Sequence, residues 1–259
     1  MNRLCIIILS VLILSSCHRD YFVIEGRLDN GAGKPLYIEE LSPNEHIFID
    51  SIILDGQGSF SYQYKMPYPS FYNLHATATD YVMLLPQNGE TISLTGDYEH
   101  LETSYEVRGS VGSLQLWQLQ SYSNDGTERL KEIVSLDQLN QQQCEGDTHA
   151  YRQAKRYTDS LYWDVYTEQS DYVKQFLSEH RGSLSTLIAL YKPLGRDPAL
   201  IDINRDPSLL SYYDDVLGGL KESMPENPHT VHFQNSVAHL HHLYERYQQQ
   251  QGVSINVGE

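Results

Sequence analysis

The sequence predicts an α+β protein in which an N-terminal antiparallel β-sandwich or open barrel, residues 17–111, precedes an all-helical domain, residues 112–251. Three observations predict it. Up to Gly109 the apolar runs are short, alternate with polar residues, and are separated by clusters of Gly, Asn and Asp, as half-buried strands joined by tight turns require. After Gly112 the apolar spacing changes to three and four, the period of a helix with one buried face. Further along, Asp197-Pro198 and Asp206-Pro207 each place a capping carboxylate before a proline, whose missing N–H costs nothing in a first helical turn.

In chain order, residues 21–28 set Phe22, Ile24 and Leu28 against Glu25 and Arg27 and end in Asp29-Asn30-Gly31. Residues 36–41 form a second strand. Residues 48–54 run into Asp55-Gly56-Gln57-Gly58, and 59–66 then alternate with Phe60, Tyr62, Tyr64 and Met66 on one side, which predicts a hairpin. Residues 71–76, 81–85 and 91–94 follow as apolar runs, and 105–109 close the set. Such strands at near-regular spacing fit a sandwich or an open barrel, and the pattern does not choose between them.

The helical part opens with Leu114, Leu116, Trp117 and Leu119 and continues over 128–143 with Leu130, Ile133, Val134 and Leu139. Residues 148–179 read as one long helix. Ser183 is expected to cap a short apolar helix that stops before Pro193, and 207–222 a further one. In the last helix, 229–251, Phe233, Val237, Leu240, Tyr244 and Tyr247 step along one face.

The N-terminus carries an address. Asn2 and Arg3 precede an apolar segment, residues 4–14, too short to span a bilayer, and Leu14-Ser15-Ser16-Cys17 follows. Small residues before a cysteine are what lipoprotein processing needs. Residues 1–16 are therefore read as a lipoprotein signal peptide and Cys17 as the lipidation site, carrying a thioether diacylglycerol and an N-linked palmitate-type chain. Two or more acyl chains hold a protein on a membrane stably. The expected location is periplasm-facing, at the outer membrane rather than the inner, because His18 and not aspartate follows Cys17.

With 34 Asp+Glu against 18 Lys+Arg the chain is strongly acidic. That argues against nucleic acid, whose binding rests on neutralising phosphates, and against a polybasic hold on anionic lipid. Cys5 leaves with the signal and Cys17 is consumed by lipid, so Cys144 remains as a lone thiol and the core does not depend on disulfides. His229, His232, His239, His241 and His242 gather on the last helix, but no HExxH or CxxC spacing completes a metal site, so no metal is expected. The neighbouring carboxylates Glu39-Glu40 and Asp214-Asp215 are read as chance pairs in an acidic chain. With no GxSxG, Ser-x-x-Lys, GxGxxG or P-loop pattern, no catalytic residue and no cofactor is expected.

Several short motifs carry a family resemblance: Phe22-Val23-Ile24-Glu25-Gly26, Asp50-Ser51 leading to Gly58-Ser59-Phe60, Val107-Arg108-Gly109-Ser110, Asn204-Arg205-Asp206-Pro207 and Met224-Pro225-Glu226-Asn227-Pro228-His229. In this order they resemble the front part of the thioredoxin-like lipoproteins of Bacteroidetes, of the TlpA/ResA thiol-disulfide oxidoreductase type. The resemblance implies a β-rich domain of unknown function, a helical segment, and then a thioredoxin fold with Cys-x-x-Cys. Residues 252–259 are similar to the start of the linker into that last domain, and no Cys-x-x-Cys occurs in this sequence. The family's dithiol chemistry therefore carries over to no residue here. Three expectations follow: a non-catalytic, lipid-anchored binding or scaffold module, held to the membrane by Cys17; a shortened or split oxidoreductase acting with a thioredoxin-like partner; or a ligand-binding lipoprotein for peptide or glycan. The sequence specifies neither the ligand nor the oligomeric state.

Overall fold

The computed structural model describes residues 20–77, 79–195 and 199–255; Cys17, the expected signal segment 1–16 and Asp197-Pro198 lie outside them. Eight strands form two four-stranded sheets. One has the order β4(Ser59–Tyr64), β1(Phe22–Asp29), β7(Thr91–Asp97), β8(Glu106–Arg108); the other has the order β3(His46–Ile53), β2(Pro35–Leu41), β5(Phe71–Thr77), β6(Asp80–Leu84). Their facing sides share a core built from Phe22, Ile24, Leu36, Ile38, Leu74, Leu84, Ile92 and Leu94. The architecture is thus a sandwich and not a closed barrel, and every strand pair is antiparallel except β1 with β7, which run parallel.

The expected hairpin over 48–66 does not form, although its turn does. Asp55 Oδ1 accepts from the N–H groups of Gln57 and Ser59, both at 2.8 Å, and Gly58 takes a positive φ of 77°. β3 then pairs with β2 while β4 pairs with β1, so the turn carries the chain from one sheet across to the other. Alternation along a strand specifies which side chains face inward, but not which neighbour supplies the hydrogen bonds.

After the one-turn helix α1(Leu101–Ser104) and β8, the chain enters α2(Val111–Gln143), one continuous helix that also takes in residues 120–127 between the two apolar stretches. Ser110 caps it, its Oγ accepting from Ser113 N at 3.2 Å. α3(Thr148–Glu179) returns alongside it from an Asp147 cap. α4(Ser185–Leu190) follows, then a 3₁₀ turn at Pro207–Leu209 capped by Asp206, and α5(Leu210–Ser223). α6(Pro228–Ile255) continues past Gln251 into the expected linker. On it Phe233 and Val237 are buried as expected, whereas Tyr247 is exposed. No described helix is long and apolar enough to cross a membrane.

The helices pack on the outer face of the second sheet. Phe71, Leu85, Leu41 and Met83 join the helical core with Leu116, Leu119, Val165, Phe176 and Phe233, while Tyr72 and Leu74, the alternate residues of β5, face the sandwich core. One sheet is therefore buried on both sides. That explains why Phe71, Tyr72, Asn73 and Leu74 are all buried in succession, where a half-buried strand would alternate.

Gly126 marks a close approach of α2 and α3. A Cβ at this position would lie 2.5 Å from the side chain of Gln169, which is itself buried and donates from Nε2 to the Tyr122 carbonyl at 3.1 Å. Gly126→Leu is expected to destabilise the fold by about 1–3 kcal/mol, the usual cost of overpacking. Urea unfolding of the variant checks this; an unchanged midpoint would mean that the helices do not depend on that approach.

Candidate functional site

Two places gather polar chemistry: the joint between sandwich and helices, and the cleft that opens beside it. The joint is built from helix N-termini. Asn227 caps α6, with Pro228 in the first turn and the Asn227 Oδ1 accepting from His229 N at 2.9 Å. The same asparagine donates from Nδ2 to the Pro69 carbonyl at 2.8 Å, just before β5. His229 then turns its ring onto the sandwich: its edge meets Phe71 at 5.1 Å between centroids, and Nε2 lies 3.1 Å from Ser70 Oγ.

A serine hydroxyl on an imidazole nitrogen is the pairing that nucleophilic catalysis uses, but here it is closed off. Ser70 is 0% and His229 7% exposed, and Asn227 approaches the histidine through its backbone N–H, not through the second ring nitrogen. The pair is a structural contact across the joint. A similar set of bonds ties in α2: Ser110 Oγ donates to the Leu85 carbonyl at 3.2 Å, Ser113 Oγ accepts from Leu85 N at 3.0 Å, and a Cβ at Gly112 would meet the Leu85 carbonyl oxygen at 2.5 Å.

Lys192 also lies at this boundary. Its Nζ donates to Gln120 Oε1 at 2.5 Å beside a cavity of about 100 Å³ lined by Glu102, Tyr81 and Tyr105, and burial lowers the pKa of its ammonium.

The open cleft has two lobes, of about 240 and 360 Å³, that meet at Glu179 and His180. Gln115 organises the junction: its Nε2 donates to His180 Nδ1 at 3.2 Å, and its Oε1 accepts from Ser183 Oγ at 2.7 Å and Ser185 Oγ at 2.8 Å. Burial lowers the pKa of His180, and the edge of its ring meets Phe176 at 4.5 Å. The larger lobe is floored by aromatic rings: Trp117, whose Nε1 donates to the Tyr105 carbonyl at 2.8 Å, Phe176, and Tyr122 stacked on Tyr172 at 3.7 Å. Amides of Gln87, Gln115, Gln118 and Gln175 rim the two lobes, and neither is lined by Lys or Arg. Flat rings and amides, with the Glu179 carboxylate between the lobes, suit a polar, extended ligand without negative charge and offer nothing to a phosphate.

The residues singled out in the sequence fall differently. His229 is not a solvated surface histidine but the centre of the joint. His241 bonds Asp214 Oδ1 at 2.7 Å, His239 borders a separate groove on α6, and no cluster of three or more metal-ligating side chains occurs among the described residues. Glu39 and Glu40 point to opposite faces of β2: Glu39 reaches His75 at 3.5 Å on one side, and Glu40 enters the sandwich interior on the other. Cys144, partly exposed, caps the far end of α2. Ser70 and Gln115 were missed, because nothing in their local pattern marks the partners that matter. No protein-family model matches the chain, and the search of curated proteins finds no match.

The joint makes stability depend on pH. Burial, helped by His232, pushes the His229 pKa down from 6.5 to about 4, so the folded protein holds it neutral. Between pH 6.5 and 4 the unfolded chain binds more protons at this residue, so its contribution is intact above pH 6.5 and lost on acidification through that window, by up to about 1.4 kcal/mol per pH unit. His229→Gln, which offers an amide to Ser70 without a titrating ring, is expected to flatten the slope of unfolding free energy across this window. Identical slopes in urea melts of the two proteins would refute the assignment.

Proposed function

We propose that the chain is a lipid-anchored, periplasm-facing lipoprotein, held through Cys17, whose folded part is a rigid non-catalytic binding or scaffold module at the outer membrane. The observation that carries this reading is the joint: the N-termini of α2 and α6 are both bonded to the strand ends at Leu85 and Pro69, so sandwich and helices form one body. A module that holds a partner at a set distance from a bilayer needs that rigidity. The one serine–histidine pair within it is sealed from substrate, which supports a non-catalytic role.

A second reading, a ligand-binding lipoprotein for peptide or glycan, is favoured by the two-lobed cleft. Its aromatic floor and amide rim match an uncharged polymer better than an anion, and it lies mainly on the helices, with Pro69, Leu85 and Gln87 of the sandwich lining the smaller lobe.

Cys17→Ala is expected to abolish acylation and release the protein from membranes, read by mass spectrometry of the N-terminal peptide and by fractionation; membrane retention of the variant would overturn the anchor. In an insulin-reduction assay the purified protein is expected to stay at background. Turnover there would favour the split oxidoreductase acting with a thioredoxin-like partner.

A further inference from the structure

A small cavity where β6, α1, α2 and the turn after α4 converge carries charges of both signs that do not meet. It holds about 100 Å³ and lies between the sandwich and the helices. Lys192 and Glu102 both line it and both are partly buried, yet no ion pair joins them, although the Glu102 charge is near enough to act on the Lys192 ammonium. Elsewhere Lys34, Lys65, Lys131, Lys155 and Lys174 each reach a carboxylate. Lys192 instead donates to a neutral amide, Gln120 Oε1, and the other N–H donors of its ammonium have no partner among the described residues. The Glu102 carboxylate has none either; only its backbone is bonded here, the N–H donating to Asp80 Oδ1 at 2.7 Å.

The rest of the lining is held in place. Gln120 is oriented from its other end, where Nε2 donates to Asn124 Oδ1 at 2.8 Å. Asp80 accepts from the N–H groups of Leu101 and Glu102 and so fixes the turn that carries the Glu102 side chain. Tyr105 adds a phenol: burial, and then the Glu102 charge, raises its pKa, so hydroxyl and carboxylate share one neighbourhood. Met83, Leu119 and Ile188 complete the wall with apolar surface.

Charge matching selects the ligand. An anion would meet Lys192 but face Glu102, a cation would do the reverse, and a neutral molecule would leave both charges partly withdrawn from water and unpaired. A zwitterion satisfies both at once. Burial lowers the Lys192 pKa, and an incoming carboxylate replaces the solvation that the ammonium has lost. At about 100 Å³, roughly the liquid volume of three waters at ~30 Å³ each, the cavity takes a molecule with a short side chain and excludes a polymer. We propose that it binds a small free amino acid, whose carboxylate meets Lys192, whose ammonium meets Glu102, and whose aliphatic side chain lies against Met83, Leu119 and Ile188. The site shares no lining residue with the two-lobed cleft and does not depend on the lipid anchor.

L-alanine titrated into the purified protein in an amine-free buffer, followed by saturation-transfer NMR of its methyl group and by calorimetry, tests the site. The wild type is expected to bind L-alanine at least about ten-fold more tightly than propionate, which lacks the ammonium, or ethylamine, which lacks the carboxylate, since each omits one charge-assisted contact. Glu102→Gln is expected to weaken L-alanine about ten-fold without weakening propionate, and Lys192→Met to weaken L-alanine as much while sparing ethylamine. The three-ligand comparison on the wild type needs no variant and decides the matter even where a substitution prevents folding. Equal binding of L-alanine and propionate, or L-alanine binding unchanged in both variants, would overturn the pairing of two charged ends. Loss of all three ligands in a folded variant would overturn the division of roles between Lys192 and Glu102, and no methyl signal at millimolar L-alanine would overturn the site.

Discussion

The structure depends on one strand being buried on both faces. Phe71 and Tyr72 are adjacent on β5, yet one packs into the helical core and the other into the sandwich. The second sheet is consequently the middle layer of three, and neither core can be lost without exposing it. A sheet with one wetted face would leave the helices as a separate body. Here they share a wall with the sandwich, so the two cores are held in fixed register.

That shared wall imposes a polar constraint at its edges. Helix N-termini arrive beside strand ends, and unsatisfied backbone groups at such a junction cost free energy unless each finds a partner. Asn227 meets two needs at once, capping α6 and bonding the Pro69 carbonyl, while Ser110 and Ser113 do the same for α2 and Leu85. His229 completes the seal only as a neutral ring, and that makes the joint acid-sensitive. Open ground remains beside the joint: the cleft at Gln115 and His180 is lined by Pro69 and Leu85 of the sandwich together with residues of the helices.

Inside the sandwich, two residues along β5 from Ser70, the polar accounting does not close. The Tyr72 hydroxyl is withdrawn from water without a partner, where a phenylalanine ring would leave no polar atom unsatisfied. Exposed apolar side chains lie elsewhere, with Phe48 and Ile53 on the edge strand β3 and Val134 and Leu139 on the outer part of α2. They depart from the inward face that alternation predicts for β3 and from the buried stripe that the helical period predicts for α2.

By itself the sequence determined the class and much of the punctuation. The strand runs, the 148–179 helix, the Asp206 start and the Asp55–Gly58 turn were legible because each depends on residues within a few positions of one another. Tertiary structure decided what depends on distant partners: that the turn crosses between sheets instead of closing a hairpin, that β1 lies parallel to β7, and that Gly126 sits within helix α2, where Gln169 fills the space of a side chain. The same holds for the candidate sites. Ser70 and His229 are 159 positions apart, and Glu39 and Glu40 look alike in sequence until the pleat sends one to each face of the sheet. Local pattern specifies conformation, but the environment that gives a serine, a histidine or a glutamate its chemistry comes from whichever remote surfaces the cores bring together.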